Sequence, residues 1–308
     1  MTTVAAIDCG TNSIRLLIAS PLPGGGLDDL DRRTEIVRLG QGVDATGEFH
    51  PDALRRTFAV VEQYAKLIND AGVPPDRVHF VATSASRDAR NRDEFFDGVR
   101  RRLGVAPDVI TGDKEAQLSF LGALSRVRPA GEPVLVMDIG GGSTELITGS
   151  AQGELQSAVS LDIGSVRLTE RYLQISPPAP DDLERAAQFV DQLLDGAGVD
   201  FGSVGTWIGV AGTATTLAGV YLKLPQYDRE RVHGSTIPLA GLAGLLETLR
   251  SLTVEQIRAL PSMHPQRADV ITGGALIAAR IAARIPVAEL IISESDILDG
   301  IALELMAR

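Results

Sequence analysis

An α/β fold in two similar halves is what the sequence predicts, on three observations. A strand–Asp-x-Gly–turn–strand unit occurs twice at a constant offset: Asp8 matches Asp138, Gly10 matches Gly140, Ser13 matches Ser143 and Leu16 matches Leu146. An antiparallel start is followed by strands alternating with amphipathic helices, the order of a mixed α/β sheet. One strong linker, Arg126 to Pro133, precedes the second unit. The expected domains are therefore 1–126 and 127–308, two halves of a duplicated fold that face each other across a cleft.

Each element has its own justification. Val134 to Met137 is too short an apolar run for a helix and reads as a buried strand. Gly140, Gly141 and Gly142 then leave backbone N–H groups unshielded before Leu146 to Thr148 starts the return strand. Thr3–Ile7 and Ile14–Ala19 form the matching first hairpin, Leu22–Gly26 is a loop, and Glu35–Leu39 is a third strand. Pro51 opens a helix to about Ala71, with Leu54, Phe58, Val61 and Tyr64 on one face, until Gly72 and the Pro74–Pro75 pair stop it. Val78–Ala82 is a strand and Thr83–Asp88 a turn. Arg92–Leu103 is a helix, Asp108–Ile110 a short strand, and Asp113 caps a helix from Lys114 to Ser125. The second half continues with a strand at Ala158–Leu161, a helix after Gly164–Ser165 and another over Asp181–Leu194. Trp207–Ala211 is a strand running into a helix-start turn at Gly212–Thr216. Helices over Leu239–Leu252, Val254–Ala259, Gln266–Ile285 and Ile297–Ala307, with a strand at Glu289–Ser293, complete the chain.

Composition narrows the function. The chain has 308 residues, room for two domains of ~100–200 residues. Its net charge of −11 argues against nucleic-acid partners and anionic membranes, both of which need a basic surface. The single cysteine excludes an internal disulfide and fits a reducing compartment. No leader precedes Asp8 and no apolar run approaches ~18 residues, so a cytoplasmic location is expected.

The paired glycine turns carry the chemistry. Consecutive N–H groups in such a turn can converge on one anion, so two turns could grip two ends of a phosphate chain. Asp138, at a strand end, suits a divalent cation lying between protein and phosphate. The alternative for either turn is a hairpin without a ligand. Glu115, in the first turn of its helix, has two readings. It could be an acid favoured by the helix dipole, or a general base that takes a proton from water attacking phosphorus. Ser119 and Gly122 follow it on the same face and would let another backbone approach. Arg87 and Arg15 could each fork onto phosphate oxygens, and the alternative for Arg87 is a surface ion pair with Asp88 or Asp93. Arg100, Arg101 and Arg102 form a solvated helix end. Cys9 and Arg15 match the Cys-x5-Arg loop of cysteine phosphatases. That loop should lead into a helix, whereas Ile14–Ile18 is strand-like and Asp8 would raise the thiol pKa. An aspartyl-phosphate site wants Asp-x-Asp, but Cys9 and Gly10 follow Asp8. His50, His79, His233 and His264 show no metal spacing.

Taken together, these segments resemble the exopolyphosphatase / guanosine pentaphosphate phosphohydrolase family in its short, two-domain form. The stretches that carry the resemblance are Ile7–Arg15, Arg38–Gly42 with Thr46–Gly47, Ala82–Ala89 with Asn91, Ile110–Ala116, Asp138–Glu145, Gly209–Thr213 and Arg267–Ile271, in family order over nearly the whole chain. The resemblance implies the actin/Hsp70/sugar-kinase (ASKHA) fold, α/β, with two RNase H-like domains around a central cleft and the last helix, about 297–308, packed back on the first domain. It implies release of terminal orthophosphate from inorganic polyphosphate, with Mg2+ or Mn2+ as cofactor. By matching positions, Glu115, Arg87 and Glu145 are catalytic. Gly10, Thr11, Asn12, Ser13, Arg15, Gly140, Gly141, Gly142 and Ser143 bind substrate phosphate, and Asp138, Asp8 and Glu145 hold the metal.

Two departures stand out. The chain ends at Arg308, without the helical C-terminal domains of longer members, and Asp296–Gly300 replaces a Gly-Leu-Arg-Glu-Gly-like run. The first departure favours short chains cleaved distributively. A homodimer is expected, with pppGpp as the alternative substrate. The rivals are a sugar or acetate-type kinase of the same fold, for which Gly209–Thr213 would contact adenosine, and a sensor that keeps the turns without turnover. No small-kinase ExGH or zinc motif supports the first, and Glu115 counts against the second.

Overall fold

The computed structural model describes residues 3–23, 26–83, 86, 87 and 89–308. They group into two compact units, Met1–Ser125 with Ile297–Arg308, and Arg126–Asp296.

The first unit holds a five-stranded sheet in the order β3-β2-β1-β4-β5, from β1 (Val4–Cys9), β2 (Ser13–Pro21), β3 (Leu27–Ile36), β4 (Val78–Ala82) and β5 (Asp108–Val109). The hairpin β1–β2–β3 is antiparallel, and β4 and β5 add in parallel. β1 is buried at every position because both faces are covered. Ala5, Ile7 and Cys9 face one core, with Tyr64 of α2 (Pro51–Asp70) and Phe95 of α3 (Arg92–Leu103). Val4 and Ala6 face the other, with Leu118 of α4 (Gly112–Leu124) and Ile301 and Leu305 of the last helix, α12 (Ile297–Ala307). A short helix, α1 (Val43–Thr46), precedes α2.

The last helix belongs to this first unit, and the Asp296–Gly300 segment supplies its anchor points. A Cβ on Gly300 would lie 2.0 Å from the Leu118 carbonyl oxygen, so α4 and α12 touch backbone to backbone. Asp299, fully buried, accepts from Arg32 of β3 at 2.9 Å, and Lys114 pairs with Glu304 at 2.5 Å.

Three local expectations change. The third strand is Leu27–Ile36 and not Glu35–Leu39. It is an edge strand whose Asp28, Asp29, Asp31, Arg32 and Arg33 disfavour strand by propensity but suit an exposed edge. Within the loop expected before it, Gly24 and Gly25 lie outside the described residues. The cap of α4 is Thr111, whose Oγ1 accepts from the Lys114 N–H at 3.2 Å, and Asp113 sits one residue inside the helix. The helix expected over Gln266–Ile285 begins later, as α11 (Ile271–Ala282), after a separate turn at Pro265–Arg267.

The second unit holds a six-stranded sheet in the order β10-β11-β9-β6-β7-β8. Its strands are β6 (Val134–Ile139), β7 (Thr144–Gly149), β8 (Leu155–Leu161), β9 (Thr206–Val210), β10 (Thr236–Pro238) and β11 (Glu289–Ile292). Its core joins Leu135, Met137, Ile139, Leu146 and Trp207 to residues of five longer helices, with Val232 and Ile257 added from two short ones. The longer ones are α5 (Ser165–Tyr172), α6 (Pro180–Asp195), α7 (Ala211–Tyr221), α9 (Leu239–Ser251) and α11; α8 (Arg229–Val232) and α10 (Val254–Arg258) are short. β6, β9 and β11 run parallel. Their carboxyl ends therefore share one edge, the edge where α/β sheets bind ligands. No helix among the described residues is long and apolar enough to cross a membrane.

Candidate active site

The two glycine turns have the same backbone. Gly10–Ser13 joins β1 to β2 and Gly140–Ser143 joins β6 to β7. In each the first N–H donates to the carbonyl of the fourth residue, at 2.9 Å from Gly10 and 3.0 Å from Gly140. The register is also the same: Asp8 stands opposite Arg15, and Asp138 opposite Glu145. Directly opposed residues project on one face of a sheet, so each hairpin presents one charged pair beside its turn.

The pairs differ in chemistry. In the first hairpin Arg15 donates to Asp8 Oδ2 from Nε at 3.0 Å and from Nη2 at 2.6 Å. Arg15, expected on phosphate, and Asp8, expected on metal, are thus joined to one another. In the second hairpin two buried carboxylates, Asp138 at 6% and Glu145 at 1% exposure, face each other, and Ser160 donates to Glu145 at 2.9 Å.

Behind each turn the carbonyls are engaged. Thr11 accepts from Gly40 at 2.9 Å, and Asn12 accepts from Val37 at 3.0 Å and Arg38 at 2.9 Å. Arg38 takes φ 52°, a left-handed conformation uncommon outside glycine. Gly140 accepts from the Ser165 N–H at 2.9 Å, and Gly141 accepts from Val166 and Arg167 at 3.0 and 3.1 Å. On the other side, the N–H groups of Asn12, Gly141, Gly142 and Ser143 donate to nothing among the described residues.

Glu115 sits in the first turn of α4 at 8% exposure, and Arg87 Nη1 donates to its Oε2 at 3.1 Å and to the Ile110 carbonyl at 3.0 Å. Arg87 thus pairs with Glu115 rather than Asp93. Of the turn expected over Thr83–Asp88, Ser84, Ala85 and Asp88 lie outside the described residues. The Thr83 N–H donates to the Cys9 carbonyl at 3.2 Å, which brings this residue beside the first glycine turn.

Cys9 lies on the opposite sheet face from Asp8, 1% exposed in the core with Ile7 and Phe80. Burial pushes its thiol well above the ordinary cysteine range, and Asp8 adds to the shift. A thiol held protonated in an apolar core is no nucleophile.

The remaining motifs of the second unit interlock. Thr213 Oγ1 donates to the Ile139 carbonyl at 2.7 Å. Arg267 donates from Nη1 to the Gly212 carbonyl and, at 3.1 Å, to Thr216 Oγ1. Sequence reasoning gave Ser160 no role and read Gly164–Ser165 only as the start of a helix. Ser160 was within reach of the β-strand alternation, since it stands opposite Glu145 in the β7–β8 register. Among the described residues no three His, Cys, Asp or Glu side chains cluster as metal ligands. Asp138 and Glu145 nonetheless fit a hard cation: they offer oxygen donors only, as a buried like-charge pair, to an ion that takes one or two carboxylates and completes its shell with water and phosphate.

The Ppx/GppA phosphatase family matches residues 17–308. Exopolyphosphatase 2 of Mycobacterium tuberculosis is 46% identical over 319 residues, covering 99% of this chain and 99% of the relative. A crystal structure of an exopolyphosphatase-like protein superposes with TM-score 0.93 at 41% identity, covering 98% of this chain and 97% of the other. The Aquifex aeolicus family member does so with TM-score 0.84 at 32% identity, over 99% and 98%. The α/β fold is thus of the actin/Hsp70/sugar-kinase class, and the chain belongs to the Ppx/GppA phosphatase family.

Proposed function

We propose that this protein is an exopolyphosphatase, releasing terminal orthophosphate from inorganic polyphosphate by metal-assisted attack of water. The observation that carries the reading is the second hairpin. There a turn with unengaged N–H donors on one side lies between the two members of a buried carboxylate pair, a pairing of anion and cation sites that a phosphate–metal complex satisfies. The likeness to a full-length exopolyphosphatase supports it.

In this reading the turn Gly140–Ser143 holds phosphate oxygens through the N–H groups of Gly141, Gly142 and Ser143, while the Gly140 N–H closes the turn, and the turn Gly10–Ser13, closed in the same way by the Gly10 N–H, does so beginning with Asn12. Glu115 takes the proton from water as its oxygen bonds to the terminal phosphorus. The bridging P–O bond breaks, and the shortened chain keeps that oxygen. Arg87 orients the Glu115 carboxylate through the bond at 3.1 Å and offers its remaining donors to phosphate. Asp138 and Glu145 would hold Mg2+ (or Mn2+), which when bound offsets phosphate charge and polarises its oxygens. Asp8 contributes through Arg15, which it holds beside the first turn.

With a net charge of −11 the surface repels phosphates lying beyond the site, which favours short chains released after each cleavage. The terminal anhydride of pppGpp is the same bond, and we propose it as the weaker substrate. The reading is completed by a cytoplasmic location, supported by a single buried thiol, and by a homodimer to be checked by light scattering. The test is a screen of polyphosphate, pppGpp, and ATP with sugars, each with Mg2+ or Mn2+. Orthophosphate release from polyphosphate is expected, and sugar phosphorylation in its place would overturn the proposal.

A further inference from the structure

The donors of the second phosphate loop are aimed by a helix behind it. A peptide unit is planar and trans, so its C=O and N–H point in opposite directions. The bonds joining Gly140 to Gly141 and Gly141 to Gly142 are not among the cis peptides, which are Glu132–Pro133 and Ser176–Pro177. The Gly140 and Gly141 carbonyls both turn to the first N–H groups of α5, at 2.9 to 3.1 Å. The N–H of Gly141 and of Gly142, on the far sides of those two peptides, must therefore point away from α5 together. Two adjacent N–H groups aimed the same way make an anion nest.

The first N–H groups of a helix usually want a side-chain cap or a ligand. Here Gly164 caps α5 without a side-chain bond, and loop carbonyls occupy the N–H groups. The contact is tight: a Cβ on Gly164 would lie 2.5 Å from both the carbonyl carbon and oxygen of Gly141 and 2.7 Å from the Gly140 oxygen. Its φ of −143° is open to any residue, so close approach alone demands glycine. The first unit solves the same problem with other parts. The N–H groups of Val37, Arg38 and Gly40 take the Thr11 and Asn12 carbonyls, which turns the N–H of Asn12 away from that segment. This gives the Arg38–Gly42 stretch a physical role.

We infer that Gly164 and Ser165 are positioning residues for phosphate binding: the N-terminal turn of α5 fixes the peptide planes of Gly140–Gly142 so that their N–H groups converge on a substrate phosphate. The inference rests on the proposed polyphosphate hydrolysis. Ser165→Pro tests it with little risk to the fold. Proline is well tolerated at the first helical position, and the extended Gly164 suits a following proline. The substitution deletes only the N–H that holds Gly140, together with a hydroxyl bond to the same oxygen at 3.2 Å. Ser165→Ala, which keeps the N–H, separates the two losses. Gly164→Ala forces the loop to move, and Gly244→Ala, with open space around its Cβ, is the control.

With Mg2+ and polyphosphate, Ser165→Pro is expected to raise KM about tenfold and lower kcat less, and Gly164→Ala to raise KM more. Ser165→Ala, which loses only the hydroxyl bond, should raise KM clearly less than Ser165→Pro, and Gly244→Ala should stay at the wild-type value. Calorimetric binding of inorganic tripolyphosphate should follow KM while melting temperatures hold. Wild-type KM and tripolyphosphate affinity in Ser165→Pro and Gly164→Ala would overturn the inference while leaving the hydrolase reading intact. A wild-type protein that neither cleaves polyphosphate nor binds tripolyphosphate would overturn that reading and the inference with it.

Discussion

Replacing Glu115 with glutamine separates the two roles that an acid in the first turn of α4 can have. Glutamine keeps the length, and its carbonyl can still accept from Arg87, but it cannot take a proton from water. A positioned general base is worth ~10²–10⁴ in rate, so kcat should fall by that factor, ~2.7–5.4 kcal/mol of barrier at 1.36 kcal/mol per decade. The stability effect is set by the ion pair. Its atoms are 3.1 Å apart, and the Arg87 and Glu115 side chains are 26% and 10% exposed. Solvent reaches the guanidinium, so losing the charge should cost about 1 kcal/mol or less. Orthophosphate release at saturating polyphosphate measures the first quantity, and a thermal melt followed by circular dichroism the second. The expected variant is nearly inactive and nearly as stable as wild type, with tripolyphosphate binding retained. Turnover within threefold of wild type, with a lowered melting temperature, would falsify the assignment and leave Glu115 as the acid that holds Arg87.

Three further outcomes follow from the same geometry. Cys9→Ser should stay active, and native Cys9 should resist thiol reagents at pH 8, where burial keeps it protonated; inactivity with a phosphocysteine trapped in the wild-type protein would contradict this. Asp138→Asn should raise the Mg2+ or Mn2+ concentration for half-maximal activity at least ~10-fold, since even an outer-shell partner of a metal ligand is worth ~10–100-fold, and full wild-type activity in excess EDTA would remove Asp138 and Glu145 from the metal role. Gel electrophoresis of long polyphosphate over time should show uniform gradual shortening, whereas intact chains beside fully degraded product would refute distributive action.

What the sequence made legible was local. The Asp-x-Gly hairpins could be read because glycine turns and short apolar runs constrain backbone within a few residues, and their shared spacing survives as a shared register. Even the Asp8–Arg15 pairing was within reach, since a turn over Gly10–Ser13 fixes which residues stand opposite. The third strand was misread because an exposed edge tolerates aspartates and arginines that propensity counts against. Thr111 and Asp113 are both capping types, and only the extended backbone of Thr111 decides between them. Non-local effects were out of reach. Nothing near Gly164 in the sequence says that its α-carbon must lie against Gly141, and nothing near Asp299 points to Arg32.

The duplicated hairpin also shows where duplication stops. Both copies keep the turn, its closing bond and a carboxylate at the end of the incoming strand, but the residue opposite that carboxylate changes from Arg15 to Glu145. Opposed residues in an antiparallel pair have Cβ atoms ~4.5–5.5 Å apart, close enough for the second charge to dominate the first. Beside the first turn the Arg15 guanidinium is paired with Asp8, so in the proposed reading an incoming phosphate would meet a pair of opposite charges. Beside the second, two carboxylates buried to 6% and 1% exposure would repel both each other and a phosphate held by the adjacent N–H groups. A divalent cation held between the two would relieve both repulsions at once. In the proposed reading one backbone would serve two kinds of phosphate site, one completed by an arginine and one by a metal, and this asymmetry is why the metal prediction is placed on Asp138.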